Sequence, residues 1–371
     1  MTDQVHLTPG AVLGGDFRLL EPLGRGGMGV VYRAEQRSTG KQRAVKVMHT
    51  LPVEGDKQRQ RFEQEARVGA RIRSDHVVEV IGAGVDEDAG VPWLAMELLE
   101  GEDLGELVDR RGAIGGKQVA EIFQQLCHAL GAAHEAGIVH RDVKPQNVFL
   151  AQAHSPQAPT SVKVLDFGIA KVAATGKTTS TALVGSPAWM APEQTDPRAR
   201  VTAAADVWAL GLLAFWLLTG RAYWLCAEDE AASMHALMRE VLFEPIVPAS
   251  QRAAELGCAE ALPGGFDEWF ARCMAREPAD RFPDARRAGT ALEQVLTGST
   301  PPAHTAGTGA TDLALMSTRE LTSAVLLGAA TEAEEDGESA AVAASPDRAD
   351  DEASRPRGGD RGSDEQPAPA T

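Results

Sequence analysis

His140-Arg141-Asp142-Val143-Lys144-Pro145-Gln146-Asn147, followed further along by Asp166-Phe167-Gly168, is the part of the sequence whose reading decides the fold. It lies between two regions of different character. Upstream, residues 17–23 and 30–34 read as strands flanking a glycine cluster, and residues 43–48 (Arg-Ala-Val-Lys-Val-Met) as a third strand. Residues 57–73, rich in Arg, Gln and Glu with Gly69 as their one glycine, read as a helix. Residues 77–81 and 92–97 return to strand character. From Glu102 onward the long stretches 117–135, 203–218 and 284–295 read as helices. A small β-rich lobe thus precedes a larger helical one, an α+β arrangement with a cleft between its lobes.

The chain has 371 residues, 43% hydrophobic and 24% charged, which suggests two or three domains at about 150 residues each. Asp and Glu number 53 against 36 Lys and Arg, a formal net charge of -17 that repels nucleic-acid phosphates and anionic lipid headgroups alike. Neither nucleic acid nor a membrane surface is an expected partner. Cys127, Cys226, Cys258 and Cys273 are widely spread, with no CxxC pair, and read as thiols in a reducing compartment. Residues 1–10 lack a basic stretch followed by an apolar run, and no apolar run approaches about 18 residues. Neither a secretory signal nor a membrane span is expected, and the expected location is cytoplasmic. After Gly298 the composition shifts: residues 299–371 hold no aromatic residue and no Lys, and 14 Asp and Glu stand against 5 Arg, a net of -9. Such a segment is expected to be disordered. Within it, residues 313–327 read as a short amphipathic helix, either nascent or a docking segment. The expected organisation is an N-terminal extension at 1–15, a folded unit at 16–298 (small lobe 16–98, large lobe 99–298) and an acidic tail at 299–371.

Gly24-Arg-Gly26-Gly-Met-Gly29-Val-Val31 matches G-x-G-x-x-G-x-V. A Rossmann dinucleotide site would need a helix starting within the glycines and an acidic residue about 20 positions on. Here a β-type run follows, and Lys46 stands at that distance. Taken alone, the motif is either a phosphate cradle, whose glycines let backbone N–H groups approach phosphate oxygens, or a Gly-rich hairpin. Lys46 sits in an apolar run, where an unpaired ammonium is costly to desolvate, and needs anionic partners. Glu65, on the following helix, is the candidate. A plain salt bridge and a phosphate grip both fit that pair. The other charges of residues 57–73 are interleaved with Glu63 and Glu65 and read as a solvated helix face.

These elements, in this order, resemble the protein kinase signature set. Ala191-Pro192-Glu193, Asp206-Val-Trp208-Ala-Leu-Gly211 and Arg281 in Glu277-Pro-Ala-Asp-Arg281-Phe282 extend the resemblance across residues 17–295. Leu19-Leu-Glu-Pro-Leu-Gly24 and Val164-Leu-Asp166-Phe-Gly-Ile-Ala170 are similar to bacterial, eukaryotic-like (Hanks-type) serine/threonine protein kinases. The resemblance implies a bilobal kinase fold that transfers phosphate from ATP, with Mg²⁺, to Ser or Thr on protein substrates. Lys144, two residues after Asp142, resembles the serine/threonine pattern and not the tyrosine one. By resemblance, Asp142 accepts the hydroxyl proton and Lys144 steadies the γ-phosphate. Asn147 and Asp166 ligate Mg²⁺, and Lys46, held by Glu65, grips the α and β phosphates. The nucleotide site comprises Leu23, Gly24, Arg25, Gly26, Gly27, Met28 and Gly29 over the phosphates, and Val31, Ala44 and Phe149 against the adenine. The backbone from Glu97 to Leu99 offers hydrogen bonds, and Met96 guards the back pocket.

His140 and Phe167 are implied to pack in an internal column anchored by Asp206, and Glu193 to pair with Arg281. Arg141 is implied to await a phosphate on Thr178, Thr179, Ser180 or Thr181, placed there by autophosphorylation through self-association. Two departures stand out. Gly69 occupies a position four residues after Glu65 where the family places a bulky apolar side chain, and residues 152–161 form a longer polar connection, expected to be a surface loop. The rival classes are a catalytically silent kinase-like scaffold, or pseudokinase, and a kinase of small molecules. The presence of Lys46, Glu65, Asp142, Asn147 and Asp166 argues against the first. Ala191-Pro192-Glu193 and the hydroxyl-rich segment argue against the second.

Overall fold

Along strand β4 (Lys41–Met48), Val45 and Val47 point to one side and Ala44, Lys46 and Met48 to the other, and all five are buried. A period of two with both faces covered explains why this strand reads as a nearly continuous apolar run. Val45 and Val47 pack with Phe17, Leu19, Tyr32, Trp93 and Ala95. Ala44 and Met48 pack with Val78, Leu94 and Met96, and against this cluster lie Leu99 and Leu165. Lys46 therefore lies on the face turned toward the second lobe. The computed structural model describes residues 7–26, 29–48, 69–86, 90–155, 158–167, 187–229 and 232–298, all within the unit Met1–Ala303.

The first lobe is an antiparallel sheet of β1 (Val12–Leu13), β2 (Phe17–Gly26), β3 (Gly29–Gln36), β4, β5 (Val80–Val85) and β6 (Pro92–Glu97), in the order β1-β2-β3-β4-β6-β5. Residues 98–100 lead into the second lobe, where β7 (Gly101–Asp103), β8 (Val148–Ser155) and β9 (Ala158–Val164) form a small sheet. Its helices are α1 (Leu104–Arg111), α2 (Gly116–Glu135), α3 (Ala203–Thr219), α4 (Leu225–Glu228), α5 (Met234–Phe243), α6 (Ala249–Glu255), α7 (Phe266–Cys273) and α8 (Ala285–Thr297). Asp103 caps α1 in a reciprocal capping box with Glu106, and Asp284 caps α8 by accepting from the Arg287 N–H. Within α3 every residue except Ala203 and Trp216 is buried. At about 1.5–3 kcal/mol for each large apolar side chain removed from water, α3 is the centre of the larger core. It stops at Gly220, whose φ of 69° provides the left-handed turn and whose N–H bonds back to Trp216 O.

Four features differ from the sequence expectation. The sheet begins earlier than residue 16: Val12 pairs with Arg18 and Leu13 with Phe17, and Leu13 is buried, because one apolar side chain in the presumed extension completes the outer core. Residues 152–161 are no plain loop. Their two arms continue β8 and β9, with Gln152 paired to Thr160 and Ser155 to Ala158, since a backbone ladder can run on beyond the core edge whatever the polarity of its side chains. The strand expected at 77–81 begins at Val80, while Val77 makes an isolated parallel bridge with Val164. Of the helix expected at 57–73, Gly69–Arg71 is a 3₁₀ turn, and residues 57–68 lie outside the described residues, as do 299–371.

All four cysteines are free thiols, and burial pushes those of Cys127 and Cys273 far above the usual range. Among the described residues no helix is long and apolar enough to cross a membrane.

Candidate active site

The floor of the site is set from beneath by Asp206, in the first turn of α3 and 1% exposed. Its carboxylate accepts the backbone N–H of His140 (2.8 Å) and of Arg141 (2.8 Å), and Nε2–H of His134 (2.8 Å). His134 belongs to the last turn of α2, and its Nδ1 accepts the N–H of Ala285 at 3.3 Å. These partners assign its ring proton to Nε2. Burial alone would raise the Asp206 carboxyl, but the hydrogen bond from His134, the polar surroundings that His134 and His140 provide and the Arg141 N–H outweigh it and hold it below the usual carboxylate range. Arg141 has φ of 70°, a left-handed conformation that a non-glycine residue keeps only when its surroundings impose it. The two backbone bonds to Asp206 do so.

His140 is fully buried; its ring packs on Phe167 with centroids 4.6 Å apart, and Nε2 donates to Leu165 O at 2.8 Å. Both serve packing, in the column expected above Asp206. Asp142 emerges from this cradle. Its Oδ2 accepts Lys144 Nζ at 2.8 Å and Asn147 Nδ2 at 3.0 Å. Asn147 Nδ2 also donates to the Asp142 carbonyl at 2.7 Å, so the amide nitrogen is turned to Asp142 and its oxygen is on the opposite side. The 3₁₀ turn Pro145–Asn147 makes this spacing, and Leu165 N–H bonds to Asn147 O at 2.9 Å, bringing Asp166 alongside.

From the other lobe, Lys46 Nζ reaches Asp166 Oδ2 at 2.5 Å, with the two side chains 11% and 20% exposed. Asp166 too has a positive φ, 58°. Glu65, the expected partner of Lys46, lies outside the described residues. The glycine motif is a hairpin in which Gly24 faces Val31, Arg25 faces Val30 and Gly26 faces Gly29, with Gly27 and Met28 outside the described residues. Leu23 is exposed at its base. Gly29 is required by close approach, since a Cβ there would stand 2.0 Å from Val47 O. Ala44 and Met96 are buried on the inner face, with Val31 and Leu99 packed against their cluster, and Phe149 is half-buried on β8 facing Lys163. Glu97 ends β6 and turns its carboxylate to Lys163.

Arg281, whose side chain is wholly buried, holds Glu193 by two bonds of 2.8 and 2.9 Å and also bonds to Ala204 O and Ala275 O, as the sequence led us to expect. Thr178, Thr179, Ser180 and Thr181 lie outside the described residues. Three contributors were not anticipated: His134, Lys163, and Gln194, whose Nε2 donates to Arg141 O at 2.8 Å. His134, which follows the small and apolar run 129–133 at the end of α2, is the one local signal among them.

The protein kinase domain family model matches residues 17–288. Serine/threonine-protein kinase Pkn1 of Myxococcus xanthus is 39% identical over 284 residues, covering 76% of this chain and 38% of that protein. PknL of Mycobacterium tuberculosis is 33% identical over 291 residues, covering 77% of this chain and 67% of that protein. The chain therefore spans well under half of Pkn1 and about two thirds of PknL. Among solved structures, the M. tuberculosis PknI kinase domain superposes with a TM-score of 0.59 at 28% identity, covering 79% of this chain and 100% of that one.

Proposed function

The chain belongs to the protein kinase family, alongside bacterial Hanks-type serine/threonine kinases, and on that premise we propose that it transfers the γ-phosphoryl group of ATP to Ser or Thr hydroxyls of protein substrates. The observation that carries this is the Asp142 carboxylate, fixed by Lys144 and Asn147 on a loop that Asp206 holds rigid, beside the Lys46–Asp166 pair. Phosphoryl transfer passes through a loose transition state, so positioning and charge neutralisation are the protein's main tasks. In this reading Asp142 accepts the hydroxyl proton, a role worth about 10²- to 10⁴-fold. Lys144, already on Asp142, keeps ammonium donors for the transferring group, and Lys46 keeps donors for the α and β phosphates while touching Asp166.

Asp166 carboxylate and Asn147 amide oxygens are hard donors of the kind that suit Mg²⁺, and the turn of the Asn147 amide leaves its oxygen on the side away from Asp142. These two residues would hold the ion, whose chemistry is to neutralise phosphate charge. Leu23 and the glycine hairpin would cover the phosphates, with Val31, Ala44, Met96, Leu99 and Phe149 around the adenine. We place the protein in the cytoplasm, where free thiols persist, and assign autophosphorylation to Thr178, Thr179, Ser180 or Thr181 through transient self-association. The scaffold alternative is disfavoured because Lys46, Asp142, Asn147 and Asp166 are all present.

The test is incubation with labelled ATP, Mg²⁺ and a generic basic protein. Wild type is expected to label that protein and itself, and Asp142→Asn to lose at least about 10²-fold in rate. Equal labelling by the two would overturn the assignment of Asp142 as the base, and no labelling by wild type would leave the scaffold reading.

A further inference from the structure

One half-buried charge pair outside the proposed chemistry joins the two lobes beside the chain crossing. Lys163 Nζ, on β9, contacts Glu97 Oε1 at 2.7 Å, with the side chains 18% and 23% exposed. The same Oε1 accepts the backbone N–H of Glu79 at 2.9 Å, while the Glu97 N–H donates to Glu79 O at 3.0 Å. Strand β9 is fastened to that segment as well: Val164 N–H donates to His76 O at 2.8 Å and Val78 N–H to Val164 O at 3.0 Å. Segment 76–79, the end of β6 and strand β9 thus close a ring of bonds in which Lys163–Glu97 is the ionic link.

This ring stands at the start of residues 98–100, which connect the two sheets. Three residues of backbone leave rotational freedom between the two sheets they connect. A bond from the last residue of the first lobe to a strand of the second removes part of that freedom before any ligand binds, so less ordering is left to oppose binding. Lys163 also pairs across the small sheet with Phe149, so its strand backs the one that carries a wall of the adenine site while its side chain steers another. None of the bonds described for Lys163 involves Asp142, Lys144 or Asn147.

We propose that Lys163 is a positioning residue for nucleotide: through Glu97 it holds the 97–99 backbone in the geometry that receives the adenine. The inference rests on the kinase reading above. It predicts a separation of kinetic parameters. Removing the ammonium weakens ATP binding and spares the chemical step.

The experiment uses the full chain as wild type, Lys163→Met and Lys163→Arg, with ATP titrated against the generic basic protein and the fluorescent analogue mant-ATP titrated separately. Lys163→Met is expected to raise KM for ATP and the mant-ATP Kd about 5- to 10-fold, the scale of one partly screened charge-assisted hydrogen bond, with kcat within about 2-fold. Lys163→Arg restores both to within about 2-fold of wild type. Unchanged KM and Kd in Lys163→Met would overturn the proposal, as would a fall in kcat alone or an Arg variant as impaired as the Met one. A wild type that binds mant-ATP and transfers no phosphate would instead strike the kinase reading, and the mant-ATP comparison would still decide the role of Lys163.

Discussion

The two walls of the cleft are held by different means. On the second-lobe side, Asp206 receives three donors at 2.8 Å, two of them backbone N–H groups, and fixes the loop that presents Asp142. On the first-lobe side, among the described residues, Lys46 meets the opposite wall through one ion pair with Asp166. The first arrangement is built into the fold, because buried donors left without their acceptor destabilise it. The second rests on a single side-chain ion pair, with no backbone donor fixing it among the described residues. One wall is a scaffold; the other is adjustable.

Asp206→Ala breaks the scaffold most severely. It strands buried donors of His134, His140 and Arg141, and a loss of about 3–5 kcal/mol in unfolding free energy by denaturant titration is expected. A pH series sharpens the same point. Because the folded carboxyl lies below its unfolded value, the unfolded chain binds more protons as acid is added. The stabilisation from Asp206 is complete above the unfolded carboxylate range, about pH 4, and is lost as pH falls through the lower folded value. The Ala variant should show a shallower acid limb than wild type.

Lys46→Met tests the adjustable wall. Transfer is expected to fall by about 10²-fold or more, since one preorganised charge at the phosphates is gone, while the denaturation midpoint moves little. A variant that unfolds as readily as Asp206→Ala would erase the contrast between the walls.

The smallest effect concerns Gly69. A Cβ added there meets only Val80 Cγ2, at an ordinary 3.7 Å, beside a gap of about 10 Å³ lined by Met96, Leu94, Asp166 and Phe167 among others. Gly69→Leu should add an apolar contact against Val80 and this lining and raise basal activity about 2-fold by tightening the adjustable wall. An unchanged or lower rate in the labelling assay would show that the gap does not loosen it.

What could be read from the sequence follows the same division. The glycine hairpin, β4 with its inward lysine, and helix α2 announce themselves through local period and composition, and Glu193 with Arg281 through the family resemblance. The early strand at Val12–Leu13 is not legible because two residues carry no period. The hairpin arms around residues 152–161 read as a loop because polar, Pro-containing strands beyond a core edge have the composition of a loop. His134, Gln194 and Lys163 take their roles from partners 72, 53 and 66 positions away, which no local pattern encodes.

Helix α3, buried around nearly its whole circumference, has a consequence for time as well as for stability. Its amides can exchange with solvent only when the larger core opens, so α3 belongs to the slowest-exchanging unit of the molecule. Asp206 sits on that helix and Arg281 bonds to its Ala204 carbonyl. The loop that presents Asp142 therefore inherits the lifetime of the global fold, and hydrogen exchange should find its anchoring N–H groups at His140 and Arg141 nearly as slow as α3 itself, although the loop has no regular secondary structure of its own.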